Sequence, residues 1–153
     1  MLTLVFHIGA DRLALDVRRV KEVVPRVRLR PLACSPAWLT GVFVYRGQVV
    51  PVLDLHRLVG AGDCPAHLSS RIILVPQPGD DGRLLGLLAA QVADLQELEL
   101  DSQALTRWSG PDGPDLGPVL AHREGVLRLL DLDRLLPESV RGQLLTFAGG
   151  QSP

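Results

Sequence analysis

The chain has 153 residues, 46% apolar and 22% charged, with a formal net charge of −1. That leaves room for one compact domain or two very small ones, argues against disorder, and gives no long-range attraction for nucleic acid or an acidic membrane. Only six residues are aromatic, too few for a base-stacking platform, and the longest apolar stretch, Leu84 to Ala93, is about half a membrane span. With no basic leader ahead of the apolar Met1–Ile8 run, the chain reads as a soluble cytoplasmic protein.

In chain order, LTLVFHI, the turn Gly9-Ala10-Asp11 and the run Leu13 to Val17 predict a β-hairpin. A strand over Val20 to Val24 follows. In the VRLRPL segment Arg26, Arg28 and Arg30 alternate with Val27 and Leu29, which predicts a strand edge with its charges outward. Ser35-Pro36-Ala37-Trp38-Leu39 predicts one helical turn, with serine as cap and proline first. Gly41–Val44 and Val49–Leu53 predict two strands joined at Arg46-Gly47. Asp54 then caps a short helix, Leu55–Val59, stopped by Gly60. Gly60–Ser70 reads as a seam. Beyond it RIILV, a Pro78–Gly82 turn and Leu84–Ala90 form a second hairpin, Gly110–Pro118 is a loop, and Asp131 caps Leu132–Leu136. From Glu138 a last amphipathic helix runs to Phe147, and the end frays.

The second half echoes the first. Residues 45–60 (YRGQVVPVLDLHRLVG) and 122–137 (HREGVLRLLDLDRLLP) are identical at seven of sixteen positions at an offset of 77, including Arg46/Arg123, Asp54/Asp131 and Arg57/Arg134. A weaker echo at offset 72 pairs Leu13, Leu15, Val20 and Glu22 with Leu85, Leu87, Val92 and Asp94. Short strands at close spacing in two related halves predict a mainly all-β fold of two small barrels packed together.

Signs of catalysis are absent from the sequence: no GxSxG, Walker, GxGxxG or HExxH motif occurs. Cys34 and Cys64 lie thirty positions apart with no histidine at ligand spacing, so two buried thiols are expected rather than a metal or redox site. Asp54 and His56 read as a helix cap with an exposed histidine beside it, rather than as a dyad. Arg18, Arg19, Lys21, Arg26, Arg28 and Arg30 against Glu22 give a local +5, leaving −6 for the remainder. A solvated face accounts for such a strip; nucleic-acid binding is the other reading. Arg46, in a tight turn between uncharged strands, needs solvent or a carboxylate, and Glu22 is the one acidic residue between Asp16 and Asp54. A Glu22–Arg46 pair is therefore expected, the alternative being that both are exposed; Asp94 and Arg123 offer the same pair in the second half.

The run SPAWLTGVFVYRGQVVPVLDLHRL, with LTLVFHIGADRLALDVRRVKEVV before it and RIILVPQPGDDGRLLGLLAAQVADLQEL after it, resembles the CheW-like domain family across almost all of residues 2–137. The resemblance implies two five-stranded β-barrel subdomains related by a pseudo-twofold. The first would span about residues 13–70, and the second about 71–137 plus a strand from 2–9, all within one domain whose residues 138–153 form a helix and tail. It also implies a non-catalytic adaptor, without cofactor or metal, that couples the cytoplasmic tips of methyl-accepting chemoreceptors to the regulatory domain of a CheA-type histidine kinase. Carried over by position, Glu22 and Arg46 match the family's sensitive carboxylate–arginine pair. Val20, Val23 and Val24 match its receptor groove, and Gly41 and Gly47 the glycines near the kinase contact. The family commonly has an asparagine before the Arg-Gly pair, where this chain has Val44-Tyr45, and the rim arginines add charge. Both departures point to a specialised surface-sensing or motility pathway. The competing expectation is a small-barrel nucleic-acid binder using residues 18–30; a small-molecule enzyme on a barrel is a third.

Overall fold

A computed structural model describes residues 1–66, 69–98, 106–107, 115–122 and 125–136. Its elements are β1 (Leu2–Ile8), β2 (Asp11–Asp16), a 3-10 turn (Val17–Arg19), β3 (Glu22–Pro25), β4 (Leu39–Tyr45), β5 (Gln48–Asp54), α1 (Leu55–Leu58), β6 (Arg71–Gln77), β7 (Asp80–Glu97), β8 (Thr106–Arg107), β9 (Pro118–His122), β10 (Gly125–Leu129) and α2 (Leu132–Leu135). The mainly-β expectation holds.

The duplication is visible in the strand register. Strands β1 and β2 pair antiparallel with Val5 opposite Ala14, and β6 and β7 pair with Leu74 opposite Gly86. Parallel pairing sets Leu129 of β10 beside Ala14, and Val52 of β5 beside Gly86, the same relation displaced by 77 and 72 residues. The hairpins β4–β5 and β9–β10 also correspond, with Val44 opposite Val49 and Ala121 opposite Val126. Likewise β3 lies on β6 with Glu22 opposite Leu74, as the end of β7 lies on β1 with Asp94 opposite Val5. In the first half the 3-10 turn separates β2 from β3. In the second the same path is one continuous strand, β7, which belongs to both groups. Its early part sits with β3, β4, β5 and β6, and its later part with β1, β2, β9 and β10. Strand pairing thus cuts across residue 70: β6 joins β3, and β2 joins β10.

Among the described residues neither group is closed by ladders into a barrel. Between the β3 segment and β4 the only backbone link among them is an isolated bridge at Arg30 and Val42, with bonds of 2.9 and 3.0 Å. The strand expected over residues 26–30 does not form, because Pro25 and Pro31 bracket it and neither can donate to a ladder. The charges nonetheless face outward: Arg26, Arg28 and Arg30 are all exposed.

Both faces of β6 are covered, as its unbroken apolar run requires. Ile73 and Val75 join Phe6, Leu13, Leu15, Leu53, Leu85 and Leu87 in a layer shared by both groups. Ile72 and Leu74 turn the other way, onto Val50, Val52 and Leu88. A smaller mate of this second cluster, Val5, Ala14 and Leu127, lies in the other group.

Three local expectations change. Ser35 does not cap a helix: its hydroxyl donates to the Leu32 carbonyl, and Pro36–Leu39 is a turn closed by a 3.1 Å backbone bond. Cys34 is exposed while Cys64 is buried. His56 is 3% exposed, because the β1–β2 turn folds over it. The proposed helix after Glu138 and most of the Gly110–Pro118 loop lie outside the described residues.

Candidate functional site

The sequence-expected residues converge where β3 meets the tip of the β4–β5 hairpin. That tip is a two-residue loop in which Arg46 (φ 48°) and Gly47 (φ 79°) both have positive φ, the backbone condition of a type I′ turn. Glycine takes this conformation freely, whereas arginine adopts it at a cost of roughly 1–2 kcal/mol. The register forces this: Tyr45 is opposite Gln48, leaving only two residues to reverse the chain.

Glu22 and Arg46 do come together, but not as a buried ion pair. The Arg46 guanidinium is 3.9 Å from the Glu22 carboxylate, and the side chains are 74% and 41% exposed. An exposed pair at that separation contributes at most about 1 kcal/mol. The nearer partner of Glu22 is Tyr45, whose hydroxyl donates a hydrogen bond to the carboxylate. Arg46 in turn lies over the Tyr45 ring, with Cζ 5.1 Å from the centroid, and Phe43 meets the same ring edge-on at 6.5 Å. Tyr45 is therefore the centre of the arrangement. Its signal was in the sequence: Phe43 and Tyr45 alternate on one face of the strand leading into Arg-Gly.

The three valines do not share one surface. Val20 packs on the shared core layer, and Val24 on the cluster around Val50 and Ile72. Val23, between Glu22 and Val24 on a strand, points the opposite way and is 36% exposed. Gly41 sits where the Arg30–Val42 bridge forms, and a Cβ there would lie 2.7 Å from the Arg30 carbonyl oxygen. On the hairpin itself, Val44 (68% exposed) and Val49 (36%) face each other across the strands as an apolar pair in solvent. Sequence reasoning missed this pair because alternating valines in a strand read as core. The matching Asp94–Arg123 pair lies outside the described side chains.

Within the basic strip, Arg18 is held by Asp16 at 2.8 Å and Arg19 by Asp133 at 3.3 Å. That pairing keeps the Asp16 carboxyl below its usual range. Arg26 donates to the Cys64 and Pro65 carbonyls at 3.2 and 2.9 Å. Lys21, Arg28 and Arg30 are exposed with no carboxylate partner among the described residues.

One cluster of metal-ligating groups is present among the described residues. Donor atoms of Asp54, His56 and Cys64 lie within 4.8 Å of one another, all buried. Asp54 and His56 each accept backbone hydrogen bonds, and the Cys64 thiol donates weakly to the Pro65 carbonyl at 3.8 Å. Asp54 accepts backbone N–H bonds from His56 (2.9 Å), Arg57 (3.4 Å) and Cys64 (2.9 Å). The Nε2 of His56 accepts from the Gly9 N–H at 3.0 Å, which puts the imidazole proton on Nδ1, the atom 3.9 Å from Asp54. Burial pushes the His56 pKa down, against the Asp54 charge, and the Cys64 thiol up. The cluster ties α1 to the β1–β2 turn and the loop at Cys64.

Comparison with known proteins agrees with this architecture. The CheW-like domain model matches residues 2–140. A chemotaxis protein CheW of Treponema pallidum is 28% identical over 138 residues, covering 85% of this chain and 78% of that protein. Protein FrzA of Myxococcus xanthus is 40% identical over 69 residues, covering 45% of this chain and 43% of its own. Among solved structures, the scaffolding protein TtCheW of Thermoanaerobacter tengcongensis has the same fold at a TM-score of 0.73 and 23% identity, covering 89% of this chain and 87% of that one. No helix among the described residues is long and apolar enough to cross a membrane. With the domain match running almost end to end and the repeated ladders in place, the chain belongs to the CheW-like domain family.

Proposed function

We propose that the protein is a non-catalytic adaptor, coupling the cytoplasmic tip of a methyl-accepting chemoreceptor to the regulatory domain of a CheA-type histidine kinase. Membership of the CheW-like family supports the class of function. The observation that carries the reading is the β4–β5 hairpin, an exposed Val44–Val49 pair on a turn braced to β3 through Tyr45 and Glu22. An apolar pair held in water on a rigid two-strand tip is of little use to the fold and well suited to a partner's groove. Gly47 shapes that tip and Gly41 anchors its base, which fits a kinase contact there; the exposed Val23, on the face of β3 opposite Glu22, supports a receptor contact on that strand. The Tyr45 brace and the basic rim support a specialised surface-sensing or motility pathway over swimming chemotaxis.

The test is co-purification of the tagged chain from its native cell, scored for kinase and receptor together. Val44→Glu is expected to lose the kinase while leaving the fold intact. Recovery of nucleic acid in place of both proteins would replace the adaptor reading with the nucleic-acid one.

A further inference from the structure

The buried cluster of Asp54, His56 and Cys64 holds more chemistry than packing requires. Asp54 is needed as the cap of α1, just as the equivalent Asp131 caps α2. Two residues further on the halves differ. His56 is 3% exposed, whereas its equivalent, Asp133, lies in solvent and pairs with Arg19. The repeat therefore does not call for a buried imidazole. With Nε2 accepting from the Gly9 N–H, the proton on Nδ1 finds no acceptor among the described residues, although that atom is buried and 3.9 Å from Asp54 Oδ1. A buried donor without a partner weighs against the fold, while the same nitrogen without its proton would face a carboxylate and a thiol as one ligand faces two others. Cys64 is the buried residue of a surface loop: residues 60–63 and 65–66 are exposed, and Gly60 and Gly62 have no atom within 4 Å of an added Cβ.

We propose that Asp54, His56 and Cys64 bind one divalent cation of the zinc class, through a carboxylate oxygen, Nδ1 and Sγ. The donor set decides the class. A thiolate selects against Mg²⁺ and Ca²⁺, and with imidazole nitrogen and carboxylate oxygen beside it suits Zn²⁺ or Co²⁺. A tetrahedral ion with bonds of about 2.0–2.3 Å spaces its ligands about 3.5 Å apart, so donors within 4.8 Å of one another draw in by about 1 Å. The glycine-flanked loop at Cys64 supplies that movement, and the fourth position falls to water. The N–H groups of His56, Arg57 and Cys64 fix the Asp54 carboxylate, as outer partners of a metal ligand do. Charge balances too: the ion meets one carboxylate and one thiolate, which leaves a buried site with no net charge. Arg57, 3.9 Å from Asp54 Oδ2, does not take the ion's place, since Asp63 holds it at 2.6 Å. Binding releases one proton, from the Cys64 thiol. The imidazole stays neutral, its proton moving from Nδ1 to Nε2, where it displaces the Gly9 N–H. Loading therefore exchanges the hold of α1 on the β1–β2 turn for a tighter hold on the Cys64 loop.

The test adds Co²⁺ to the full chain, first treated with chelator and reductant, and follows its absorbance. A single Co²⁺ is expected to bind, with a thiolate-to-cobalt charge-transfer band in the near ultraviolet and the visible bands of tetrahedral cobalt, all lost when Zn²⁺ is added. Cys64→Ser is expected to lose the charge-transfer band. Cys34→Ser is expected to keep it, because Cys34 is exposed and stands outside the cluster. His56→Gln retains an acceptor for Gly9 but has no imidazole. It is expected to bind Co²⁺ more than ~10-fold more weakly, since even a partner that only orients a ligand is worth that much. In the wild type, loading with Zn²⁺ is expected to speed hydrogen exchange at the Gly9 amide. A wild type without the charge-transfer band, its survival in Cys64→Ser, its loss in Cys34→Ser, undiminished binding by His56→Gln, or a Gly9 amide that exchanges no faster would each overturn the proposal. Should Cys64→Ser fail to fold, His56→Gln and the Gly9 amide decide. Co-purification of kinase and receptor bears on the adaptor reading alone, and neither result there moves this one.

Discussion

The Tyr45 hydroxyl, not the Arg46 guanidinium, is the principal hydrogen-bond donor to Glu22, and Arg46 lies on the Tyr45 ring. A hydrogen bond to a charged group contributes about 1.5–3 kcal/mol, whereas an exposed ion pair at this range contributes at most about 1 kcal/mol.

Tyr45→Phe is accordingly expected to destabilise the protein by about 1.5 kcal/mol or more, and Arg46→Ala by under about 1 kcal/mol, since it removes only an exposed ion pair and leaves the left-handed backbone strain unchanged. Urea unfolding of the two variants decides the matter. A larger loss for Arg46→Ala would restore the ion pair to first place. For the proposed partner binding the order is expected to reverse, because the Arg46 guanidinium is exposed while the Tyr45 hydroxyl is engaged by Glu22.

The two glycines flanking the hairpin are constrained by different forces. At Gly41 a methyl group would meet the Arg30 carbonyl oxygen at 2.7 Å and the Leu29 Cβ at 3.1 Å, so the backbone bridge between Arg30 and Val42 must shift. At Gly47 no atom lies within 4 Å of an added Cβ, and only the φ of 79° opposes it. Gly47→Ala is expected to cost roughly 1–2 kcal/mol. Gly41→Ala should cost more, and should also speed hydrogen exchange of the Arg30 and Val42 amides. Slow exchange at both amides in that variant would show that the bridge has room to yield.

Asp54 and Asp131 occupy equivalent places in the two halves, and their difference sets a second contrast. The buried Asp54 serves three backbone N–H groups, one of them ten residues away, while Asp131 is 41% exposed and serves Asp133 alone. Asp54→Ala therefore strands buried donors and is expected to cost about 3 kcal/mol or more, against about 1 kcal/mol for Asp131→Ala. Equal losses, measured by chemical denaturation, would mean that the bond to Cys64 carries no weight.

These contrasts mark what a linear reading can reach. The repeat at offset 77 and the caps at Asp54 and Asp131 were legible because they rest on local pattern, and the register repeats them faithfully. The convergence of Glu22 with the Arg46 turn was legible because charge is scarce there. What escaped depends on three-dimensional neighbours. His56 was read as exposed, but a turn 47 residues earlier covers it. Tyr45 was noted only as a departure from the family, since nothing local says where its hydroxyl ends. The exchange of β2 and β6 between the halves escaped for the same reason: a repeat shows that two units exist, not which strands hydrogen-bond together.

The burial of His56 gives the protein a specific pH dependence. The folded state holds the imidazole neutral, with Nε2 accepting from Gly9, and burial lowers its pKa from the ordinary value of 6.5. An unfolded chain takes up that proton near pH 6.5, before the folded one does, so the unfolded state binds more protons below that pH. The stabilisation is complete above about 6.5, falls as the pH drops through that value, and levels off only below the folded-state pKa. His56→Gln, whose side-chain carbonyl can accept from Gly9 without titrating, is expected to flatten the stability profile between about pH 5 and 7 relative to wild type. The rest of the chain is common to both proteins, so the difference between the two curves isolates position 56. Parallel curves would show that protonation of His56 leaves the latch between α1 and the β1–β2 turn unbroken.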